Sequence, residues 1–254
     1  MFRGARGYLV YGFGFFVVLE IMLVAAIYWW PTFEQNIGSI KTLAAPIAML
    51  SDLVDQVDQF GVSGYIVGQH YFKGCSALGT AASVLFAANS IAGEAHRGTM
   101  ELWLARPVSR LRLMTERWLG GLMVVVLPVF LTSATVPPLL EQFDKSMDMA
   151  DLMRCSIHMS AFLAAIYAVT FLWSSRSSEP MKISFVMLFL SVMVFALYLV
   201  EGVTQYSLYQ LVEIQVFMRI VNGDAVDWSL LAPMLACTVV SYGLSARAFL
   251  QRVP

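Results

Sequence analysis

Charged residues are sparse along this chain, and the intervals between them set its elements. A helix needs a mostly apolar run of about 18 residues or more to cross the ~30 Å hydrocarbon core of a bilayer. Residues 74–93, 118–140, 155–175, 183–200 and 228–246 carry no Asp, Glu, Lys or Arg. A sixth run, 7–33, is interrupted only by Glu20. The apolar residues are continuous, unlike the two-residue alternation of a membrane β-barrel. Backbone groups in lipid have no water to bond, so each crossing is predicted to be an α-helix. The pattern thus predicts an all-α, polytopic membrane protein: one transmembrane domain over 1–254, with helices at about 9–30, 74–93, 118–140, 155–175, 183–200 and 228–246.

Two of the intervening segments carry structure of their own. In 31–72, Pro46 opens a stretch in which Ile47, Leu50, Val54 and Val57 recur three and four apart, opposite Asp52, Asp55, Gln56 and Gln59. This spacing predicts an amphipathic helix to about Phe60. Its polar face has no basic residue, so attraction to anionic lipid is not its cause. It lies in the interface or packs on a partner. Residues 201–227 are too apolar for a plain loop, with Tyr206, Leu208, Leu211, Val212, Ile214 and Phe217, yet Glu213 and Arg219 keep them from spanning. A short helix or a re-entrant hairpin fits.

Composition agrees with a membrane protein. The 254 residues are 59% hydrophobic and 13% charged, half the charge of a typical soluble domain. A net charge of -1 without a basic cluster argues against nucleic acid, and three cysteines argue against a disulfide scaffold. With the N-terminus inside, eleven Lys or Arg fall in interior segments and five in exterior ones, while twelve Asp or Glu lie outside and four inside. The positive-inside rule then places both termini in the cytoplasm. The first helix is expected to be retained, since no A-x-A-like cleavage site precedes Pro31 and Tyr28, Trp29 and Trp30 form an interfacial belt.

The remaining segment, 94–117, is distinctive. Glu94, Glu101 and Glu116 alternate with Arg97, Arg106, Arg110, Arg112 and Arg117, and Leu102, Trp103 and Leu104 form an apolar ridge. Gly98 and Pro107 punctuate it as short helix, turn, helix. An aromatic-and-arginine element of this kind has the composition of a protein-docking surface.

This segment resembles the cytoplasmic loop of type-2 ABC exporter permeases, the membrane subunits of ATP-driven efflux systems. The matching residues are Glu94, Arg97, Gly98, Thr99, Glu101, Leu102, Leu104, Pro107, Val108, Ser109 and Arg110. The family also has six helices, this coupling helix between the second and third, and short outer helices between the fifth and sixth. The resemblance implies a bacterial inner-membrane permease that exports a substrate. A separate ABC ATPase, in two copies with its ATP and magnesium, would dock on Glu94, Arg97, Gly98, Thr99, Glu101, Leu102, Arg106, Pro107 and Arg110. A second permease copy, as a homodimer, is implied too. Members often begin with an amphipathic elbow helix; Gly4, Gly7, Gly12 and Gly14 would let residues 1–15 bend into a short one. On its own terms the chain is no enzyme and holds no cofactor: a Walker A lysine follows a glycine, and none of Lys41, Lys73, Lys145 and Lys182 does.

Two constellations invite chemistry. Glu20, mid-helix, marks a pathway or hydrogen-bonds a neighbouring helix. Met147, Met149, Met153, Cys155, His158 and Met159 gather soft ligands suited to copper(I), but they repeat no ligand motif, so ordinary packing is the better account and no metal site is assigned. One branch of the resembling family serves copper-centre assembly, so an ATP-coupled component of an extracytoplasmic maturation system, contacting a protein there, is the alternative function. A secondary transporter would favour paired mid-membrane acids and an internal repeat, and ranks behind both.

Overall fold

The computed structural model describes residues 2–46, 48–105, 107–200 and 202–252, with backbone alone for 2–6, 48–50, 52 and 103. Among the described residues there is no strand, and six helices are long and apolar enough to cross a membrane. The all-α, six-span expectation is met.

Helix α1 (Phe2–Ala44) is a single rod of 43 residues, roughly 65 Å at 1.5 Å per residue. It does not bend into an elbow, and it continues through Pro31 where a loop was predicted. Charges mark where lipid ends, not where a helix ends. Beyond Pro31 the chain stays helical because it finds a partner. Trp30 is buried, 5.1 Å from the Tyr65 ring and 6.3 Å from Phe33. Helix α2 (Ala48–Phe60) folds back beside it, with Val54 and Val57 buried and Lys41 Nζ reaching Asp55 (2.9 Å) and Asp58 (2.7 Å). The described part of the amphipathic face, Val54 and Val57, is therefore covered by the chain itself. Ile47 and the Leu50 side chain lie outside the described residues.

The second span begins earlier than its uncharged run. It starts as α3 (Val62–Ile66), passes through a π-helical segment, Val67–Leu78, and continues as α4 (Gly79–His96). Lys73, which closed the predicted run, is exposed while its neighbours Tyr71, Phe72, Gly74 and Cys75 are buried. A lone charge on the outer face does not interrupt a helix. After α5 (Met100–Leu104) come α6 (Arg110–Leu140), α7 (Met149–Arg176) and α8 (Pro180–Tyr198). Residues 201–227 hold two 3-10 turns (Thr204–Tyr206 and Leu208–Val212) and α9 (Ile214–Val221), the short-helix alternative rather than a hairpin, before α10 (Trp228–Leu250). Polar residues start these helices. Asp148 accepts from Ala150 N at 2.6 Å, and Asp227 accepts from the hydroxyl (2.6 Å) and amide (2.9 Å) of Ser229, satisfying amides a helix leaves open. The Ser229 bonds hold the Asp227 carboxyl below the usual carboxylate range.

Helix α7 is the centre of the bundle. It packs on α4, α6 and α10, while α1 lies along α6 and α8 along α4. Small residues allow this close approach. A Cβ on Gly79 would lie 2.7 Å from Leu163 Cδ1. The Ser174 hydroxyl of α7 reaches into the α4 ladder, donating to Ala88 O (2.8 Å) and accepting from Ala92 N (3.0 Å). At Gly121 a Cβ would overlap the hydroxyl of Tyr167, itself fully buried. Gly121→Ala is therefore expected to destabilise the bundle by about 1–3 kcal/mol, as overpacking does. Tyr167→Phe in the same chain should recover part of the loss, read as thermal melting in detergent.

Candidate functional site

The described part of 94–117 forms a braced projection at one end of the bundle. Gly98, at φ 67°, takes the left-handed conformation that glycine adopts without strain, and turns the chain from α4 into α5. Glu94 holds the turn. Its carboxylate accepts from the Thr99 hydroxyl at 2.5 Å, and lies 3.1 Å from both the Arg97 and the Arg117 guanidinium groups. The Glu94 and Arg117 side chains are only 15% and 24% exposed, so this is a largely desolvated pair that joins the ends of α4, α5 and α6. On α5, Met100 is buried and Leu104 packs on the core, whereas Glu101 is exposed and Leu102 is 75% exposed. Positions four apart share a helix face. One face thus anchors the helix and the other is presented outward.

The remaining expected coupling residues divide. Pro107 is exposed, and Arg106 lies outside the described residues. Arg110 is half-buried and donates to Arg252 O at 2.9 Å, while Arg252 donates to Ser175 O at 3.3 Å. Arg110 therefore ties the start of α6 to the segment after α10 rather than standing on the outward face. Arg117 was not singled out by the sequence reading. The signal was present: Glu94 is the first charge after the second apolar run and Arg117 the last before the third. Opposite charges at two adjacent span ends meet at the same membrane level.

A second polar site lies inside the bundle, where the π-helical segment meets α6 and α7. His70 Nε2 is 3.0 Å from Ser133 Oγ, and Ser156 donates to Ser133 Oγ at 2.8 Å. The Tyr71 hydroxyl lies 3.0 Å from Ser133 Oγ and 2.8 Å from Leu152 O. His70 and Cys75, isolated in sequence, are brought together, with Cys75 Sγ 3.9 Å from the imidazole. Their partners are hydroxyls inside apolar runs, which charge spacing does not reveal.

Glu20 reaches the same region from α1. Its Oε2 is 3.0 Å from Thr135 Oγ1, which is also 2.7 Å from Thr132 O. The Thr135 hydroxyl donates to the Glu20 carboxyl, which thereby joins α1 to α6 through an interhelical hydrogen bond. Glu20→Gln, which keeps an acceptor for Thr135, is expected to melt like the unchanged protein. Glu20→Leu should cost about 0.6–1.7 kcal/mol, the range of such bonds in membranes, measurable by reversible unfolding in micelles.

The soft-ligand residues are spent on packing. His158 Nε2 donates to Leu211 O at 2.7 Å, and Cys155 Sγ lies 3.9 Å from Phe217 O. Met149 is exposed at the start of α7, and Met153 is partly buried. Among the described residues no group of three or more His, Cys, Asp or Glu could hold a metal ion.

The chain is thus a six-span helical bundle with a braced short helix between its second and third spans. A family model described as ABC-2 family transporter protein matches residues 10–252, and the chain belongs to that family. No match was found among curated proteins. The chain is accordingly a multi-pass membrane component of an ABC transporter, and the family implies an ABC ATPase as its partner.

Proposed function

We propose that this chain is the permease subunit of an ABC exporter, moving its substrate out of the cytoplasm with ATP hydrolysed in two copies of a docked ATPase. Two permease copies form the pathway, as a homodimer. The observation that carries this reading is α5: a one-sided helix, anchored by Met100 and Leu104, pinned through Glu94 and displaying Glu101 and Leu102. An element of that construction passes a push from a partner into α4 and α6. The excess of basic residues on the α5 side supports a cytoplasmic position for it and for both termini.

Orientation has a direct test. A cysteine placed at Asp58, exposed on α2, is expected to react with a membrane-impermeant maleimide in intact cells. One placed at Leu102 should react only after permeabilisation. The reverse pattern would invert the topology. Co-purification of a tagged chain with a Walker-A ATPase encoded in the neighbouring reading frame tests the partnership.

One observation favours the alternative of an extracytoplasmic maturation system. Helix α1 is about twice as long as the ~30 Å hydrocarbon core is thick, and its end carries α2 as an arm, closed by Lys145 on Glu34 at 3.2 Å and Tyr28 on Gln142 at 2.9 Å. Such an arm supplies a contact surface for a protein outside the membrane.

A further inference from the structure

Helices α8 and α10 lean on different neighbours. α8 packs on α4 through Ile183 against Ala88 and Ala92, whereas α10 packs along α7. Between them α7 is left as the floor of a cavity of about 410 Å³. Phe162 and Ile166 of α7, Met187 and Leu190 of α8, and Met234 and Cys237 of α10 line it. Tyr209 and Leu211 of the 3-10 turn close the end away from α5.

We propose that this cavity is a binding site for one acyl chain of a membrane phospholipid, held as a resident ligand. The polar groups at its wall are already committed. The Ser191 hydroxyl donates to Met187 O at 2.8 Å, Tyr209 Oη lies 3.5 Å from Thr80 Oγ1, and Leu211 O accepts from His158. Water needs two to four polar partners to be stable in a cavity, and a headgroup or peptide needs at least as many. An occupant without polar atoms needs none. Position selects which one. The walls belong to three membrane-crossing helices, and Leu190 and Cys237 at the mouth are exposed. The mouth is continuous with the exposed apolar flank formed by Val186 on α8 and Val239 and Val240 on α10. In a membrane-crossing bundle, lipid tails are the apolar medium available to such a flank. Left empty, the lining forfeits dispersion contacts on one side, which in a bilayer are a main source of packing energy. From Met187 to Val194 the lined wall is roughly 10 Å deep, matching a segment of an extended chain rather than a compact solute.

The test uses the full-length protein in nanodiscs of phosphatidylethanolamine and phosphatidylglycerol, doped with a phosphatidylethanolamine bearing a diazirine in its acyl chain. After irradiation, adducts are mapped by peptide mass spectrometry. Labelling of residues 187–194 and 234–237 is expected to exceed that of the open flank at 239–244 by about tenfold. Cys237→Phe, which blocks the mouth from an exposed position, should remove that excess while melting is unchanged. Ser191→Phe, which fills the cavity from within, provides an independent second variant. Even labelling over all exposed faces, or an excess that survives Cys237→Phe in a folded protein, would overturn the proposal. Loss of the label during ATP turnover with the ATPase bound would identify the occupant as cargo and overturn the resident role. Because the labelling comparison and its two variants need neither partner nor transport, they stand or fall separately from the exporter reading.

Discussion

Leu102→Glu is expected to weaken ATPase association by roughly ten- to thirtyfold, and to abolish its stimulation by the permease, while the permease itself melts as before. The residue is 75% exposed on a helix whose opposite face is buried, so the fold gains nothing from its side chain. Exposed substitutions away from special features change stability by about 0.5 kcal/mol or less. A docked leucine losing its pocket, with a charge forced into its place, costs about 1.4–2 kcal/mol of binding. Glu101→Lys, on the same exposed face, should act in the same direction. Titration of purified ATPase against the permease in nanodiscs, with thermal melting alongside, separates the two effects. Normal binding and normal stimulation by Leu102→Glu would remove α5 from the coupling surface.

Glu94→Ala should do the opposite, damaging the permease before any partner arrives. Its carboxylate is the common acceptor for Thr99, Arg97 and Arg117. Removing the carboxylate takes the ionic partner from a largely buried guanidinium that keeps its contact with Tyr8, a loss of about 1.5–3 kcal/mol after allowing for partial exposure. A lower melting temperature and lost ATPase stimulation are expected together, although Glu101 and Leu102 are untouched. Glu94→Gln, still an acceptor, should fall between. The swap Glu94→Arg with Arg117→Glu should recover part of the stability. Full stability in Glu94→Ala would show that the turn is held by backbone and by the buried Met100 instead.

The six spans were legible because the cost of burying charge in hydrocarbon leaves long uncharged runs in any sequence that crosses. The same rule failed where helices leave the lipid. Beyond Pro31, α1 runs on through Glu34 and Lys41, and the second span takes in the buried His70 and the exposed Lys73, because one face of each helix still finds neighbouring chain to pack on while its charges stay on the other. The α2 pattern showed an apolar face but not what would cover it, since Lys41, its ionic partner, belongs to a different helix. In 94–117, composition set the segment apart and could not sort its arginines. Arg97, Arg110 and Arg117 look alike in sequence; tertiary geometry gives one a half-exposed carboxylate contact, one a backbone carbonyl and one a desolvated pair.

The length of α1 has a mechanical consequence. Near one end, Tyr8 packs over Gly120 of α6, where a Cβ would lie 2.9 Å from the ring, one turn from the Arg117 that Glu94 engages. At the other end the rod carries α2. An unbroken helix roughly 65 Å long converts a tilt of about 5° into a sweep of roughly 6 Å at its tip. The rod thus runs from beside residues 94–117 to α2 at its other end. Whatever rests against α2 on the far side of the membrane is within reach of the stroke.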